Sequence, residues 1–305
     1  MLSLAVQVCL SVAGQIQLGT IPAPRDEISS TNQSWPGILI HSETRSNPPT
    51  RFFVAEVGLK TPRLHLQVAR GGDDPDGAGK WQTTLLEPTK IAARDGFALV
   101  VNGDFFKARN VSDGEGAKSG YHAGQWSLVS GPAMTDGRVW AVSPQPRPCL
   151  VIHTNQTVAI ETLAAPGADN WEVLAGNDWL VRNGRVVASA GKARHPRTAV
   201  GINAAGDKLI ILLVDGRKPG VAVGMTHQEL ASELVRQGCW QALNLDGGGS
   251  SVLAVRDAGT GKMTMLNVPT DGRERPVANV LGISYKPKNG SCSQPKKSST
   301  TDGHG

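Results

Sequence analysis

A glycine-rich stretch at residues 241–253 carries the side chains with the clearest capacity for chemistry. An apolar strand ends at Asp246, and the next five residues are Gly247, Gly248, Gly249, Ser250 and Ser251. Three consecutive glycines are costly in backbone entropy and usually mark a tight turn or a close approach to a ligand. A carboxylate, two hydroxyls and several free N–H groups together suit a phosphate or a polyhydroxylated sugar. A glycine-rich hairpin is the alternative interpretation of this stretch alone.

Three further polar clusters stand beside predicted apolar strands. Asn102, Gly103 and Asp104 follow one strand, HPRT at 195–198 precedes another, and DGR at 215–217 follows a third. Strand ends are where ligand sites tend to lie, and the guanidinium groups of Arg197 and Arg217 can bind a phosphate in bidentate fashion. Taken alone, Asp215 in an Asp-Gly pair favours a turn. Four such clusters in one chain indicate a site.

Two kinds of element must position these clusters. Strands are predicted from apolar alternation or continuous apolar runs at 51–57, 64–70, 97–101, 198–202, 209–214 and 277–284, with hairpins at 150–161 and 179–187. The strongest helix signal is at 226–237, where Thr226 and Glu229 form a capping box and Gly238 follows the last turn. Pro88 begins a shorter helix that ends near Gly96. We therefore expect an α+β fold, a mixed, strand-rich single domain with a few helices packed on the sheet.

The ends of the 305-residue chain differ from its middle. Residues 1–14 are apolar and end in small residues, which favours a secretory signal and hence a secreted, periplasmic or extracellular protein; a buried first strand is the alternative. Residues 15–50 are predicted to be an irregular N-terminal segment, 51–285 the folded domain, and 286–305 a disordered basic tail.

Charge and composition exclude two classes of partner. The net charge is +5, but four lysines and one aspartate place +3 of it in residues 286–305. The remaining body gives no argument for nucleic acid, and no apolar run reaches the roughly 18 residues of a membrane span. Cleavage after residue 14 would leave three cysteines; a disulfide between Cys149 and Cys239 stays open, and no cysteine pair has metal-ligand spacing.

Several of these motifs occur in an order that resembles the phosphodiester glycosidase family. They are VNGDFF at 101–106, HPRTAVGI at 195–202, VDGR at 214–217, GMTHQELASELVRQGCWQALNLDGGGSS at 224–251 and NVPTDGRERPVANVLGI at 267–283. The resemblance covers about residues 80–285, and thus most of the predicted catalytic domain. Asp104 departs from the pattern, since many relatives have a second glycine there.

The resemblance implies a hydrolase that cleaves the glycosidic C–O bond of a sugar-1-phosphodiester, such as an α-N-acetylglucosamine-1-phosphodiester. A free sugar and a phosphomonoester would be released from a small-molecule or glycan substrate. Asp104 and Asp246 are the candidate catalytic carboxylates, with nucleophile and base not distinguished. The candidate substrate- and phosphate-binding residues are Asn102, Gly103, Arg197, Asp215, Arg217, Gly247, Gly248, Gly249, Ser250, Ser251, Asn267 and Arg275.

Two other functions remain open from the sequence. A metal-dependent phosphodiesterase would cut the P–O bond and hold a divalent cation on Asp104 and Asp246. A non-catalytic surface glycan-binding module would keep the glycine loop and the arginines but would not need the carboxylates. No cofactor is certain. A divalent cation is possible, and the sequence does not decide whether one is required.

Overall fold

A computed structural model describes residues 35–114 and 119–286, together with the backbone of residues 27–30. The predicted signal segment at 1–14 lies outside the described residues, and so does the predicted tail beyond residue 286. Within the described residues no helix is long and apolar enough to cross a membrane.

Strands dominate the described chain. They are β1 Glu27–Ser30, β2 Ile38–Ser46, β3 Pro49–Gly58, β4 Leu64–Arg70, β5 Thr83–Thr84, β6 Leu99–Asn102, β7 Phe106–Ala108, β8 Trp126–Val129, β9 Ala133–Thr135, β10 Arg138–Ala141, β11 Arg147–His153, β12 Val158–Leu163, β13 Asn170–Ala175, β14 Trp179–Arg182, β15 Arg185–Val186, β16 Arg197–Ile202, β17 Lys208–Val214, β18 Gln241–Asn244, β19 Leu253–Arg256, β20 Met263–Met265 and β21 Asn279–Tyr285. The α-helices of this part of the chain are α1 Pro88–Asp95 and α2 His227–Arg236, and short 3-10 turns cover Val111–Asp113 and Gly248–Ser250.

These strands form four antiparallel sheets. The largest has eight strands in the order β1-β2-β3-β17-β16-β18-β14-β15. Two sheets have five strands, ordered β20-β19-β6-β21-β4 and β10-β9-β13-β11-β12, and the smallest has the order β5-β8-β7. The central position of β17 agrees with its continuous apolar run, since both of its faces are buried.

The main core lies between the eight-stranded sheet and the two five-stranded sheets. Leu209, Ile211 and Leu213 of β17 point into it, while the alternate residues of the same strand pack beneath α2. On the far side, Ile91 and Ala92 of α1 cover the sheet that contains β6. The molecule is therefore built by packing sheet on sheet, with one helix on each outer face.

The expected α+β class is wrong, because the fold is mostly β. Both predicted helices form, but each packs on the outer face of a sheet, and the main core lies between sheets. Short antiparallel strands such as β8, β9 and β10 lie in a region for which the sequence predicts no elements. Strands of three or four residues carry too few alternations to be recognised, and their partners are distant in sequence.

The segment expected to be irregular, residues 15–50, contains regular structure in its described part. Strands β1 and β2 lie within it, and β2 pairs with β3 along its whole length, from Ile38 opposite Val57 to Ser46 opposite Pro49. The prolines, serines and asparagines of this segment obscured a strand whose inward residues Ile38 and Ile40 belong to the main core.

Cys149 and Cys239 are free, buried thiols, so they do not form the disulfide that the sequence leaves open. Burial raises the pKa of each thiol to about 12. Both therefore behave as small apolar core residues at neutral pH.

Candidate active site

A cleft of about 270 Å³ opens where strand ends of two sheets meet. The end of β6 approaches from a five-stranded sheet, while the start of β16 and the end of β18 approach from the eight-stranded sheet. The cleft is lined by Phe105, His195, Pro196, Arg197, Arg217, Asp246, Gly247, Gly248, Gly249 and Arg275. Three guanidinium groups thus surround one carboxylate.

Asp246 is the carboxylate of this cleft. Its Oδ1 accepts a hydrogen bond from the Gly247 N–H at 2.8 Å. Burial raises the pKa of Asp246 to about 6, against the lowering effects of the Ser250 hydroxyl, the Gly247 N–H and the charge of Arg275. At neutral pH the side chain is ionised and close to its pKa, a suitable state for a base or a nucleophile.

Asp104 does not line the cleft, although it lies close enough to Asp246 for their charges to interact. Its side chain is buried, its Oδ2 accepts the Gly131 N–H at 2.7 Å, and its Oδ1 has no hydrogen-bond partner among the described residues. Burial raises the pKa of Asp104 to about 7, and the negative charge of Asp246 contributes in the same direction. The two predicted carboxylates are therefore neighbours in different surroundings.

Asn102 and Gly103 hold the two sheets together behind the cleft. The Asn102 amide donates to the Asp246 carbonyl at 2.7 Å, and its Oδ1 accepts the Thr198 hydroxyl at 2.9 Å. The Gly103 carbonyl accepts the Asp246 N–H at 3.0 Å, and a Cβ at Gly103 would lie only 2.3 Å from Oδ1 of Asn279. Both residues thus position Asp246 and the backbone before it.

The three glycines allow the loop to pass close to its neighbours. A Cβ at Gly247 would lie 2.6 Å from the Pro196 carbonyl, which also accepts the Gly248 N–H at 3.0 Å. Gly248 has a φ of +63°, a conformation that favours glycine. A Cβ at Gly249 would lie 2.0 Å from an Arg275 nitrogen. Close packing, and not only turn geometry, therefore accounts for the glycine run.

Arg217 and Arg197 line the same cleft but differ in their contacts. The exposed guanidinium of Arg217 lies beside Gly248 and makes no hydrogen bond or ion pair to other described residues. The guanidinium of Arg197 donates to the carbonyls of Met225 and Ala193 and contacts Nε2 of His227 at 2.8 Å. Arg217 is thus free for an anionic ligand, whereas Arg197 also fixes the loop that bears it.

Three further predicted binding residues bond to other parts of the protein, namely Ser250, Asn267 and Arg275. Ser250 accepts a hydrogen bond from Arg275 at 3.4 Å, and Arg275 also forms an ion pair with Asp271 at 2.8 Å. Asn267 donates to the Ser251 carbonyl and accepts the Leu253 N–H, which holds the chain as it leaves the loop. Of this group, Arg275 lines the cleft and the others support it.

Asp215 points away from the cleft. Its buried carboxylate pairs with Arg51, at 2.7 Å to Nε, and accepts the Val268 N–H at 3.2 Å. The structure thus places this predicted binding residue in an ion pair that joins β3, the end of β17 and the segment before β21.

Three residues that line the cleft are not among the candidate catalytic or binding residues predicted from the sequence, namely Phe105, His195 and Pro196. Phe105 and Pro196 contribute lining surface, and the motif at 195–198 that contains Pro196 was the available signal. His195 also lines the cleft, with a buried Nδ1 that has no partner among the described residues. Burial lowers the pKa of His195, as do the charges of Arg197 and Arg217, so the ring is neutral at pH 7. A neutral imidazole can donate one hydrogen bond into the cleft.

Comparison with known proteins agrees with this geometry. A family model described as phosphodiester glycosidase matches residues 95–284, which include every lining residue of the cleft. An uncharacterised prophage-derived protein of Bacillus subtilis, YomE, is 35% identical over 140 residues. That match covers 44% of this chain and only 20% of the relative, so the chain spans about a fifth of the length of the relative.

Solved structures share the fold at low sequence identity. The catalytic domain of zebrafish N-acetylglucosamine-1-phosphodiester alpha-N-acetylglucosaminidase, auto-inhibited by its pro-peptide, matches with a TM-score of 0.60 and 21% identity, over 85% of this chain and 88% of that one. A putative exported protein of Burkholderia pseudomallei matches with a TM-score of 0.55 and 18% identity, over 77% of this chain and 74% of that one.

Proposed function

The chain belongs to the phosphodiester glycosidase family, and from this premise we propose that it hydrolyses the glycosidic C–O bond of a sugar-1-phosphodiester. The products are the free sugar and a phosphomonoester. The observation that carries the proposal is the composition of the cleft, where Arg197, Arg217 and Arg275 surround the single carboxylate of Asp246. This combination of charges suits an anionic substrate that reacts next to a carboxylate.

The proposed reaction breaks the bond between the anomeric carbon and the bridging phosphate oxygen. The bond electrons pass to that oxygen, and the phosphate becomes a stable monoester without needing a strong general acid. Arg217 and the N–H groups of the glycine loop stabilise the charge that develops on the phosphate. Asp246 acts at the anomeric carbon, either as the nucleophile or as the base that removes a proton from the attacking water.

Asp104 has a supporting role in this proposal. Because it is buried and does not line the cleft, it does not touch a sugar bound beside Asp246. Its charge state alters the electrostatic potential at Asp246 and at the phosphate. We therefore assign Asp104 as a positioning residue, which revises its expected role as a second reacting carboxylate.

We propose an α-N-acetylglucosamine-1-phosphodiester as the first substrate to test, because the zebrafish relative is named for that linkage. A cleft of about 270 Å³ suits one sugar and its phosphate better than a longer glycan within the enclosed part. The proposal also includes secretion, which the apolar residues 1–14 support.

The test is hydrolysis of a panel of sugar-1-phosphodiesters, beginning with UDP-N-acetylglucosamine, in water labelled with oxygen-18. C–O cleavage places the label in the released sugar. Label in the phosphate would instead identify a phosphodiesterase and overturn the proposal. Asp246→Asn serves as the matched inactive variant, since it keeps the shape of the side chain and removes its charge.

The binding-module alternative predicts a different outcome. A binder would retain a sugar phosphate with similar affinity in the wild type and in Asp246→Asn, with no turnover by either, with or without added divalent cations. An enzyme loses turnover in Asp246→Asn while its affinity for the substrate persists.

A further inference from the structure

A second cluster of chemically competent side chains lies away from the cleft. His65 is on β4, Asp136 is in the turn between β9 and β10, and Glu172 is on β13. One potential metal-ligand atom from each residue lies within 4.8 Å of the other two. The cluster joins two sheets, because β4 belongs to the sheet of β6 whereas β9, β10 and β13 belong to the other five-stranded sheet.

The two carboxylates of this cluster lack a compensating cation. Glu172 is fully buried, and it accepts the Val68 N–H at 2.8 Å and the Asp136 N–H at 3.0 Å. Asp136 accepts one hydrogen bond, from the Gln67 amide at 3.1 Å. No lysine or arginine in the described part of the chain lies within ion-pair distance of either carboxylate. Burial raises the pKa of Glu172 to about 8, so without an ion this carboxyl group holds a proton at neutral pH, and a bound cation would displace that proton.

The third member of the cluster also has an unused ligand atom. The half-buried imidazole of His65 makes no hydrogen bond to other residues that the structure describes. The carboxylates, by contrast, are oriented by the bonds from Val68, Gln67 and the Asp136 backbone. Hydrogen bonds of this kind, outside the ligand set, are what orient metal ligands in known sites.

The cluster reaches solvent at the exposed Asp136 and adjoins a second cleft. This cleft, of about 330 Å³, has Gln67 and Thr135 in its wall. Gln67 bonds Asp136 directly, and Thr135 precedes it in the chain. Asp136 is exposed and lies in a turn, so its side chain can move toward an arriving ion.

We propose that His65, Asp136 and Glu172 bind a first-row divalent transition-metal ion, with zinc as the best match. Imidazole nitrogen is a poor ligand for calcium and magnesium but a good one for zinc. In a tetrahedral site, bonds of about 2.0–2.2 Å place the ligand atoms roughly 3.3–3.6 Å apart. The three ligand atoms here lie within 4.8 Å of one another, so they move closer together when the ion binds. The ion would connect the two five-stranded sheets, and this role is independent of the reaction proposed for the cleft.

The test uses the untagged full chain, treated with EDTA, dialysed and then titrated with zinc chloride. We expect about one zinc ion per chain by elemental analysis after gel filtration, and a thermal midpoint that rises with zinc concentration. His65→Gln and Asp136→Asn should each weaken zinc binding by at least ~10-fold. Glu172 is left intact because its oxygens also bond two backbone N–H groups.

His153→Gln is the matched control. His153 also lies on a strand beside two carboxylates, but its two nitrogens already contact Glu161 at 3.0 Å and Asp169 at 3.7 Å. This variant should bind zinc as the wild type does. The proposal is overturned if the wild type retains no stoichiometric zinc, or if His65→Gln binds zinc as tightly as the wild type and His153→Gln.

Discussion

Asp246 and Asp104 have the same side chain, but their different positions give them different proposed roles. Asp246 borders the cleft and has a pKa raised by burial to about 6, whereas Asp104 is sealed behind it with a pKa raised to about 7. Burial is the main cause of both shifts, and the negative charge of the ionised Asp246 adds a smaller upward effect on the pKa of Asp104. At neutral pH Asp246 is mostly ionised at the cleft, whereas the buried Asp104 is close to half protonated.

The role proposed for Asp246 predicts the acid side of the pH profile. A nucleophile or base must be ionised, so kcat/KM should rise as the pH increases through about 6. Asp246→Asn should lower kcat by roughly 10²–10⁴-fold across the profile, with substrate affinity retained. Initial rates from pH 4.5 to 8 measure both effects. A wild-type profile that is flat through pH 6 would contradict the assignment.

The burial of Asp104 predicts a pH-dependent stability. The folded protein holds the Asp104 proton up to about pH 7, whereas the unfolded chain releases it near the usual value of 3.8. The resulting stabilisation is complete below the unfolded pKa and is lost as the pH rises through about 7. Asp104→Asn removes this loss, so it should be more stable than the wild type at pH 8, by up to about 4 kcal/mol.

Urea unfolding at pH 5 and pH 8 measures the effect of Asp104→Asn. The amide oxygen can still accept the Gly131 N–H, so we expect the advantage of the variant over the wild type to be smaller at pH 5 than at pH 8, by about 3 kcal/mol. An equal difference between the two proteins at both pH values would show that the ionisation of Asp104 is not its cause.

The different contacts of Arg217 and Arg197 predict different kinetic effects. Arg217→Ala removes a cation that bonds no other described residue, so it should raise KM by roughly 10-fold or more without loss of stability. Arg197→Ala also removes the bonds to Met225 and Ala193, so it should lower the thermal midpoint as well. Equal thermal midpoints for the two variants would contradict this distinction.

At the scale of elements, the sequence predicts best where the signals are local. The capping box of α2 forms as expected, with the Thr226 side chain accepting the Glu229 N–H and the Glu229 carboxylate accepting the Thr226 N–H. The hairpin predicted at 179–187 is confirmed by the pairing of Arg182 with Arg185 across its Asn183-Gly184 turn. Each of these features needs only a few neighbouring residues, so the sequence contains the whole signal.

The sequence alone could not show why the loop at 247–249 consists of three glycines. Its glycines suggested a turn or a ligand, but two of the close approaches are to Pro196 and Arg275, which are distant in sequence. The same holds for Asp215, whose Asp-Gly turn signal gives no indication of Arg51. The residue types and their neighbours in the sequence mark these positions as candidates, but the fold determines which of them line the cleft.

Close packing of the loop predicts the effect of a single methyl group. Gly249→Ala would place a Cβ 2.0 Å from an Arg275 nitrogen and 2.4 Å from an Asp271 oxygen, so the ion pair must shift. We expect KM to rise several-fold as Arg275 leaves the cleft wall. Gly191→Ala is the control, since its Cβ meets nothing within 4 Å. Steady-state kinetics of both variants give the comparison, and equal KM values would contradict the predicted shift.

At the scale of the molecule, the cleft lies where the ends of strands from two sheets meet. Its residues lie at the ends of β6, β16, β17 and β18, except Arg275, which lies in the segment before β21. The order of those strands in the sheets could not be predicted from their sequence order. Strand β17 pairs with β3 and β16, so residues near position 55 and near position 200 flank the same strand. Pairings over such distances leave no local pattern in the chain.

The Arg51–Asp215 ion pair is a long-range contact that maintains this arrangement, and it gives the last prediction. Asp215 has 2% of its surface exposed, and Asp215→Ala would leave Arg51 and the Val268 N–H without their acceptor. We expect a loss of roughly 2–4 kcal/mol in the free energy of unfolding, since Arg51 keeps partial access to solvent. Lys60→Ala, which breaks the exposed pair with Asp207, should cost under about 1 kcal/mol. Urea unfolding of both variants measures the difference. If Asp215→Ala were as stable as Lys60→Ala and lost substrate binding instead, Asp215 would belong to the binding site and not to the framework that holds the cleft open.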